Sequence, residues 1–441
     1  MKIPNLLYST VVLTVSNVFI RLLGFLYKIF LSNTMGTHFL GLFHLVFHFL
    51  TMCISITTTG IPVALSCLVS KEKALGNKNS MNNFLISTLY LSFIISIFIS
   101  IIVILNSKFL SIKMLHSDKY QIIILLITPA VSLITISNIL RGYFYGLKKV
   151  WICAIGQLLE QIFRILFVIS LFLYIKNSNT YILIAILAIS LGEIVNIFFI
   201  TVNLINEHDF KMDHHVKFTD FLSNIKTIIK ISFPITFNRI FVEFIKFFNS
   251  ILIPKKLVLS GMSYNKALSM YGIISGMVFP FLFLPFVIIS ALVINLIPSL
   301  SQELPKKNYS LINKKINFSL ALSLVIATLS FIFFILFGDN VCNFVYKNEL
   351  AGRYLQILSI GGFFMILNHT LSGILHGIGK EYMSTFNNIL GLLIELICIY
   401  TLVPIKNINI YGFIYGFILC NFVVCILHLI TLYNEKKRWV Y

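Results

Sequence analysis

The sequence has 441 residues, of which 58% are hydrophobic and 11% charged, and its mean hydropathy is +0.94. A soluble globular chain uses roughly 45–50% apolar residues, so a water-soluble fold is excluded. A net charge of +19 would suggest nucleic acid in a soluble protein. In a membrane chain it reads as topology signal beside anionic lipid, and no nucleic-acid partner is expected.

A helix needs about 20 apolar residues to cross ~30 Å of hydrocarbon, and twelve such stretches follow one another: 6–31, 38–70, 81–105, 119–147, 150–175, 180–205, 231–254, 264–300, 313–337, 350–379, 382–404 and 409–433. Their uninterrupted hydrophobicity excludes the alternating pattern of a β-barrel. The expected fold is an all-α membrane protein. The first stretch is too long for a signal peptide, and "LSNTMGTHFLG" offers no small-residue cleavage site, so it is expected to remain attached.

Charges at membrane depth are costly, at least ~2.5 kcal/mol each at the bilayer centre, and so mark cavities or partners. In chain order, the first stretch sets Asn17, Arg21, Gly24 and Lys28 at i, i+4, i+7 and i+11, one polar stripe of a helix. No acid stands three or four residues from Arg21. His44 and His48 in the second stretch share a face and read as hydrogen-bonded core. The fourth ends in "LRGYFYGLKK" and carries Arg141; the fifth has Glu160 and Arg164 at i, i+4; the sixth has Glu193. The seventh repeats the basic stripe with Arg239, Glu243 and Lys246, and the eleventh holds Glu395. Lys28 and Arg141 lie within about two turns of a stretch end, where snorkelling competes evenly with a cavity role. Glu160 and Arg164 read equally as a structural ion pair or as substrate contacts.

Basic residues in alternate loops number 18 against 10, which expects both termini in the cytoplasm and agrees with an even count of crossings. Seven cysteines lie scattered within the stretches without metal spacing or a pairing pattern, so neither a metal nor a disulfide is inferred.

The chain also repeats itself. "LRGYFYGLKK" and "LSGILHGIGK" lie 231 positions apart, and the same offset matches Gly41 with Gly272, Glu72 with Glu303, Gly142 and Gly146 with Gly373 and Gly377, and Lys149 with Lys380. Nearer the start of each half the offset becomes 221, matching Asn17 with Asn238; about ten residues near "KKLVLSGMSYNK" absorb the slip. With six stretches each, both halves point the same way, as a parallel internal repeat. The expected organisation is an N-terminal six-helix lobe at 1–206, a cytoplasmic linker at 207–230 and a C-terminal six-helix lobe at 231–441. The paired glycines four apart read as close helix packing.

No phosphate loop, HExxH, nucleophile elbow or Asp cluster is present, and the loops are too short for a catalytic domain, so no enzyme, catalytic residue or cofactor is expected. Two lobes with a basic midplane describe a transporter of something anionic. "LRGYFYGLKKVWICAIGQLLEQIFRILFV", "TTTGIPVALSCLVSKEKA", "YGIISGMVFPFLFLPFVIISALVINLIPSLSQ" and "LSGILHGIGKEYMSTFNNILGLLIELICIYTLVP" resemble the stage V sporulation protein B group of the multidrug/oligosaccharidyl-lipid/polysaccharide exporter superfamily. That resemblance implies a two-lobed flippase in the cell membrane. Its partner would be an anionic lipid-linked sugar pyrophosphate, a peptidoglycan or other cell-wall precursor such as that of the spore cortex, moved by alternating access through a basic central cavity. It places Arg21 and Lys28 at the head-group cavity and leaves Arg141, Glu160 and Arg164 as motif residues; by their stripes, Asn17 in the first half and Arg239, Glu243 and Lys246 in the second are further candidate substrate contacts. Many such flippases have fourteen spans, whereas this sequence ends after the twelfth, so a lipid-tail groove built from two further helices is not carried over. Two other readings stand beside it: a cation-coupled multidrug exporter of the same fold, and a non-transporting membrane scaffold for cell-wall synthesis enzymes.

Overall fold

The computed structural model describes residues 3–175, 178–206 and 218–439, and among them every regular element is a helix. In chain order these are α1 (Ile3–Thr58), α2 (Ile61–Ala74), α3 (Lys78–Leu105), α4 (Ser107–Leu115), α5 (Gln121–Gly146), α6 (Val150–Tyr174), α7 (Ser178–Ile205) and α8 (Phe218–Leu259). They continue with α9 (Tyr264–Gly272), a π-helical turn (Ile273–Val278), α10 (Phe279–Leu282), α11 (Phe286–Glu303), α12 (Tyr309–Tyr346), α13 (Glu349–Gly377), α14 (Glu381–Leu402) and α15 (Tyr411–Arg438). Of the expected linker, 207–217 lies outside the described residues, and the rest is the start of α8.

Ten helical segments among the described residues are long and apolar enough to cross a membrane. The first of them, Val15–Ala74, is far longer than one crossing needs and leaves helical geometry at Gly36 (φ 75°, ψ 161°), so it supplies two crossings. The 42-residue α8 carries too many charges to be counted by apolarity, and with it the total is about twelve. Two of the expected stretches are not single helices. The stretch 38–70 breaks at Thr59–Gly60, where Pro62 in the first turn of α2 removes a donor and the Gly60 amide donates instead to Thr236 Oγ1 at 3.0 Å. The stretch 264–300 is divided into α9, α10 and α11 by the π turn and by Pro280 and Pro285.

The chain forms two compact units. One takes residues up to Tyr27 together with Leu45–Phe247; the other takes Lys28–His44 together with Phe248–Tyr441. In the first, α2, α3 and α7 pack on α5, and α6 packs on α7. In the second, α11, α12 and α15 pack on α13, and α14 packs on α15. These are the same four pairings under the 231-residue offset, and the atoms obey it too. A Cβ on Gly142 would stand 2.7 Å from the Pro62 carbonyl oxygen, and one on Gly373 would stand 2.5 Å from Val293 Cγ1, at the position equivalent to Pro62. Gly146 likewise meets Ser66 and Val69, and Gly377 meets the equivalent Ile297 and Leu300. Lipid offers no hydrophobic drive for helix association, so such backbone approach supplies the packing.

The ends of the repeated phrases share a cap. The Lys148 amide donates to the Tyr145 carbonyl and that of Lys149 to Phe144, both at 3.0 Å; the Gly379 amide donates to His376 at 3.0 Å and that of Lys380 to Leu375 at 2.7 Å. This is the Schellman closure, with a left-handed residue at its turn, Lys148 (φ 61°) in one copy and Gly379 (φ 77°) in the other. Outside the cores, α3 exposes Tyr90, Phe93, Ile94, Phe98 and Ile101, and α12 exposes Leu324, Val325, Leu329, Phe333 and Leu336. Apolar faces on this scale fit hydrocarbon rather than water.

Candidate functional site

Three helices of the first unit bring their polar residues to one buried place. Arg164 Nη2 donates to Glu160 Oε1 one turn earlier on α6, and its Nη1 reaches Gln161 Oε1 at 3.4 Å. From α7, Asn196, fully buried, donates its amide to Glu160 Oε2 at 3.0 Å, to Ser137 Oγ of α5 at 3.0 Å, and to Glu193 Oε2 at 3.5 Å. Glu160 is 9% exposed and Glu193 4%. The helices come close enough for this because α7 carries Gly192 where a Cβ would lie 3.2 Å from the Glu160 carbonyl oxygen and 3.5 Å from Arg164 Nε. Two polar atoms of the cluster, Arg164 Nε and Asn196 Oδ1, are buried without a hydrogen-bond partner. Charged and amide groups withdrawn from water strengthen one another when satisfied, and cost most where they are not.

The cluster extends along α5 and α1. Arg141 Nη2 donates to Asn138 Oδ1 at 2.8 Å, and the Asn138 amide reaches Thr58 Oγ1 of α1 at 3.2 Å. Thr135 Oγ1 meets Thr57 Oγ1 at 3.0 Å. Arg141 Nε is buried and without a partner. From α1, Tyr27 lies buried within electrostatic reach of Arg164, and Gly24, the small residue of the predicted stripe, faces the Gln161 amide. Asn17 is half-buried, while Arg21 and Lys28 are exposed. Arg21 belongs to the first unit; Lys28 opens the segment that belongs to the second.

The second basic stripe is locally balanced. Glu243, buried, takes both Arg239 Nε at 3.3 Å and Lys246 Nζ at 3.4 Å, so α8 presents one acid between two bases, with Arg239 exposed. Within the second unit, Glu395 of α14 accepts the Asn249 amide of α8 at 3.3 Å and hydrogen-bonds Cys420 of α15, and Tyr271 hydrogen-bonds Ser250 nearby. Lys256 Nζ stands 3.3 Å above the Tyr400 ring. The structure therefore joins Glu160 and Arg164 to Ser137 and Glu193 through Asn196, and sets Arg141, held by Asn138, within electrostatic reach of Glu160. It keeps Arg239, Glu243 and Lys246 on one helix. Asn196, Gln161, Asn138 and Asn249 were not singled out in the sequence; amides inside apolar stretches were the available signal.

The sequence matches a known family over most of its length. A profile described as "Polysaccharide biosynthesis protein" matches residues 6–302, well over half of the sequence, and a second, described as "MatE", matches 234–401. The chain belongs to the polysaccharide biosynthesis protein family. Among similar curated proteins, the Stage V sporulation protein B of Bacillus subtilis (strain 168) is 24% identical over 434 residues, 96% of this chain and 83% of the relative. The Lipid II flippase MurJ of the same organism is 23% identical over 418 residues, 89% of this chain and 76% of the relative. Among solved structures, an inward-facing multidrug resistance MATE family transporter of the MOP superfamily superimposes with TM-score 0.73 at 17% identity, covering 96% of this chain and 99% of that one. A MOP superfamily transporter from Pyrococcus furiosus gives 0.70 at 16%, covering 98% and 96%. This family member is thus a multi-pass helical membrane protein with the fold of those solved transporters, and one of its curated relatives is described as a flippase.

Proposed function

We propose that the protein is a flippase of the cell membrane, with both termini cytoplasmic, that moves an anionic lipid-linked sugar pyrophosphate used in cell-wall synthesis by alternating access through a basic cavity. The observation that carries this reading is the surplus of base at membrane depth. Six bases, Arg21, Lys28, Arg141, Arg164, Arg239 and Lys246, stand against the four acids Glu160, Glu193, Glu243 and Glu395, and Arg21 and Lys28 of α1 are exposed. A surplus of base at that depth is retained at a cost that an anionic head group offsets. Arg21 suits pyrophosphate, because its planar fork matches phosphate oxygens two at a time, which an ammonium cannot do. The names of the relatives, one acting on lipid II and one in sporulation, support the substrate class.

The test is depletion of the protein in a sporulating host, followed by identification of the lipid-linked intermediate that accumulates. Accumulation of an undecaprenyl-type sugar pyrophosphate on the inner face supports the reading. A normal lipid-linked pool with loss of cationic drug efflux instead assigns the protein to multidrug export. Arg21→Ala is expected to abolish complementation at normal membrane levels, Arg21→Lys to restore it in part, and Lys28→Ala to be milder. Full complementation by Arg21→Ala sinks the head-group role.

A further inference from the structure

α4 lies between the crossings Lys78–Leu105 and Asp118–Gly146, at the end of the first unit opposite the phrase "LRGYFYGLKK". One side of it is sealed, with Ser107, Ser111, Met114 and Leu115 buried. Gln121 Nε2 donates to Ser107 Oγ at 2.9 Å and Ser111 Oγ donates to the Ser117 carbonyl, which pins the helix to the start of α5. The other side presents Lys108, Phe109, Ile112 and Lys113, all exposed, Phe109 at 60%. At 3.6 residues per turn these four span an arc of about 140°, with a lysine at each border and the apolar pair between. Lys119 is exposed in the turn that follows, and among the described residues no acid pairs with any of the three lysines. Serines inward with Phe and Ile outward invert the polarity of a helix on a water-facing surface and fit a helix lying in the membrane interface.

The second unit holds the same place with different chemistry. The 231-residue offset carries His116 onto Lys347, and both are left-handed helix ends at φ 52°. It carries α4 onto 338–346, the last turns of α12, where Lys108 becomes Asp339, Phe109 becomes Asn340, Ile112 becomes Asn343 and Lys113 becomes Phe344. A position that is basic in one copy and acidic in the other is not dictated by the shared fold, so the lysines answer to something local. By the topology proposed above, this end faces outward, where bases are scarce, and the positive-inside rule gives no reason for them.

We infer that the outer face of α4 is a docking surface for anionic phospholipid, with Lys108 and Lys113 taking the phosphate while Phe109 and Ile112 enter the acyl boundary. Lysine stems lie along apolar surface and carry the ammonium to head-group level. Each lysine beside an anionic membrane surface strengthens attachment about fivefold. Lipid is the occupant because the face continues the apolar surface of α3, whose Ile101, Ile102, Ile104 and Leu105 are exposed just before it.

The experiment uses the full-length protein with its two tryptophans replaced, Trp151→Phe and Trp439→Phe, and Phe109→Trp as a fluorescent reporter. It is placed in vesicles of phosphatidylcholine and phosphatidylglycerol in which one lipid or the other carries brominated acyl chains. At equal mole fraction, brominated phosphatidylglycerol is expected to quench about threefold more strongly than brominated phosphatidylcholine. Lys108→Gln with Lys113→Gln should abolish the preference, and about 1 M salt, where screening acts over ~3 Å, should reduce it. A reporter at Asn340→Trp, the equivalent place in the second unit, should show none. Equal quenching at Phe109→Trp, a preference that survives loss of both lysines, or no quenching because a protein covers the face overturns the inference. If the reporter variant does not accumulate, native mass spectrometry decides: phosphatidylglycerol retained by the protein with its native Phe109 should fall when both lysines are replaced, and unchanged retention overturns the inference. An inverted topology moves the surface to the other leaflet and leaves the docking standing.

Discussion

Removing one member of the Glu160–Arg164 pair tests whether the buried cluster of the first unit acts as a network. Glu160→Met takes away the oxygen that Arg164 Nη2 meets and the one that receives the Asn196 amide. It leaves a guanidinium whose Nε is already without a partner and whose remaining acceptor is Gln161 at 3.4 Å. With the two side chains only 11% and 17% exposed, this is a buried pair broken from one side, expected to cost about 3–5 kcal/mol. Arg164→Met leaves a carboxylate that keeps the Asn196 amide and can take up a proton, so about 1–3 kcal/mol is expected. The double variant removes both charges and strands neither; its cost should fall short of the sum by about 1–3 kcal/mol. Equilibrium unfolding by SDS in mixed micelles measures all four proteins. Additivity within about 0.5 kcal/mol would refute the network and leave Arg164 free for a direct substrate role.

Three further outcomes are expected. Gly142→Ala, facing the Pro62 backbone, should destabilise by about 1–3 kcal/mol, and Gly373→Ala, facing the movable Val293 side chain, by less; equal costs in the same unfolding assay would argue against backbone approach as the cause. At the left-handed turns, Lys148→Gly should stabilise and Gly379→Ala destabilise, each by about 1 kcal/mol, and a shift of the wrong sign would contradict the shared cap. For orientation, Asn77→Cys and Asn308→Cys should be shielded from an impermeant thiol reagent in intact cells while Lys406→Cys labels, since basic loops stay in the cytoplasm; the reverse pattern inverts the topology.

Whatever depends on spacing along one helix was legible in the sequence. The i, i+4 interval places Glu160 and Arg164 side by side, and the same rule gathers Arg239, Glu243 and Lys246, because the helical period alone fixes those neighbours. The duplicated phrases fixed the repeated cap and the equivalent helix pairings, since a constant offset carries every local partner with it. Apolar length set the number of crossings, because the bilayer sets the length of helix that it takes to span it. Only the tertiary structure decided which helix faces meet. In a membrane both the buried and the lipid-facing sides are apolar, so periodicity does not say how a helix is rotated. That rotation brings Asn196 to Glu160 and Ser137 across 36 and 59 residues, and Asn249 to Glu395 across 146. It also sets a matched pair of glycines, Gly41 and Gly272, against each other, a Cβ built on Gly272 falling 2.7 Å from the Gly41 amide nitrogen.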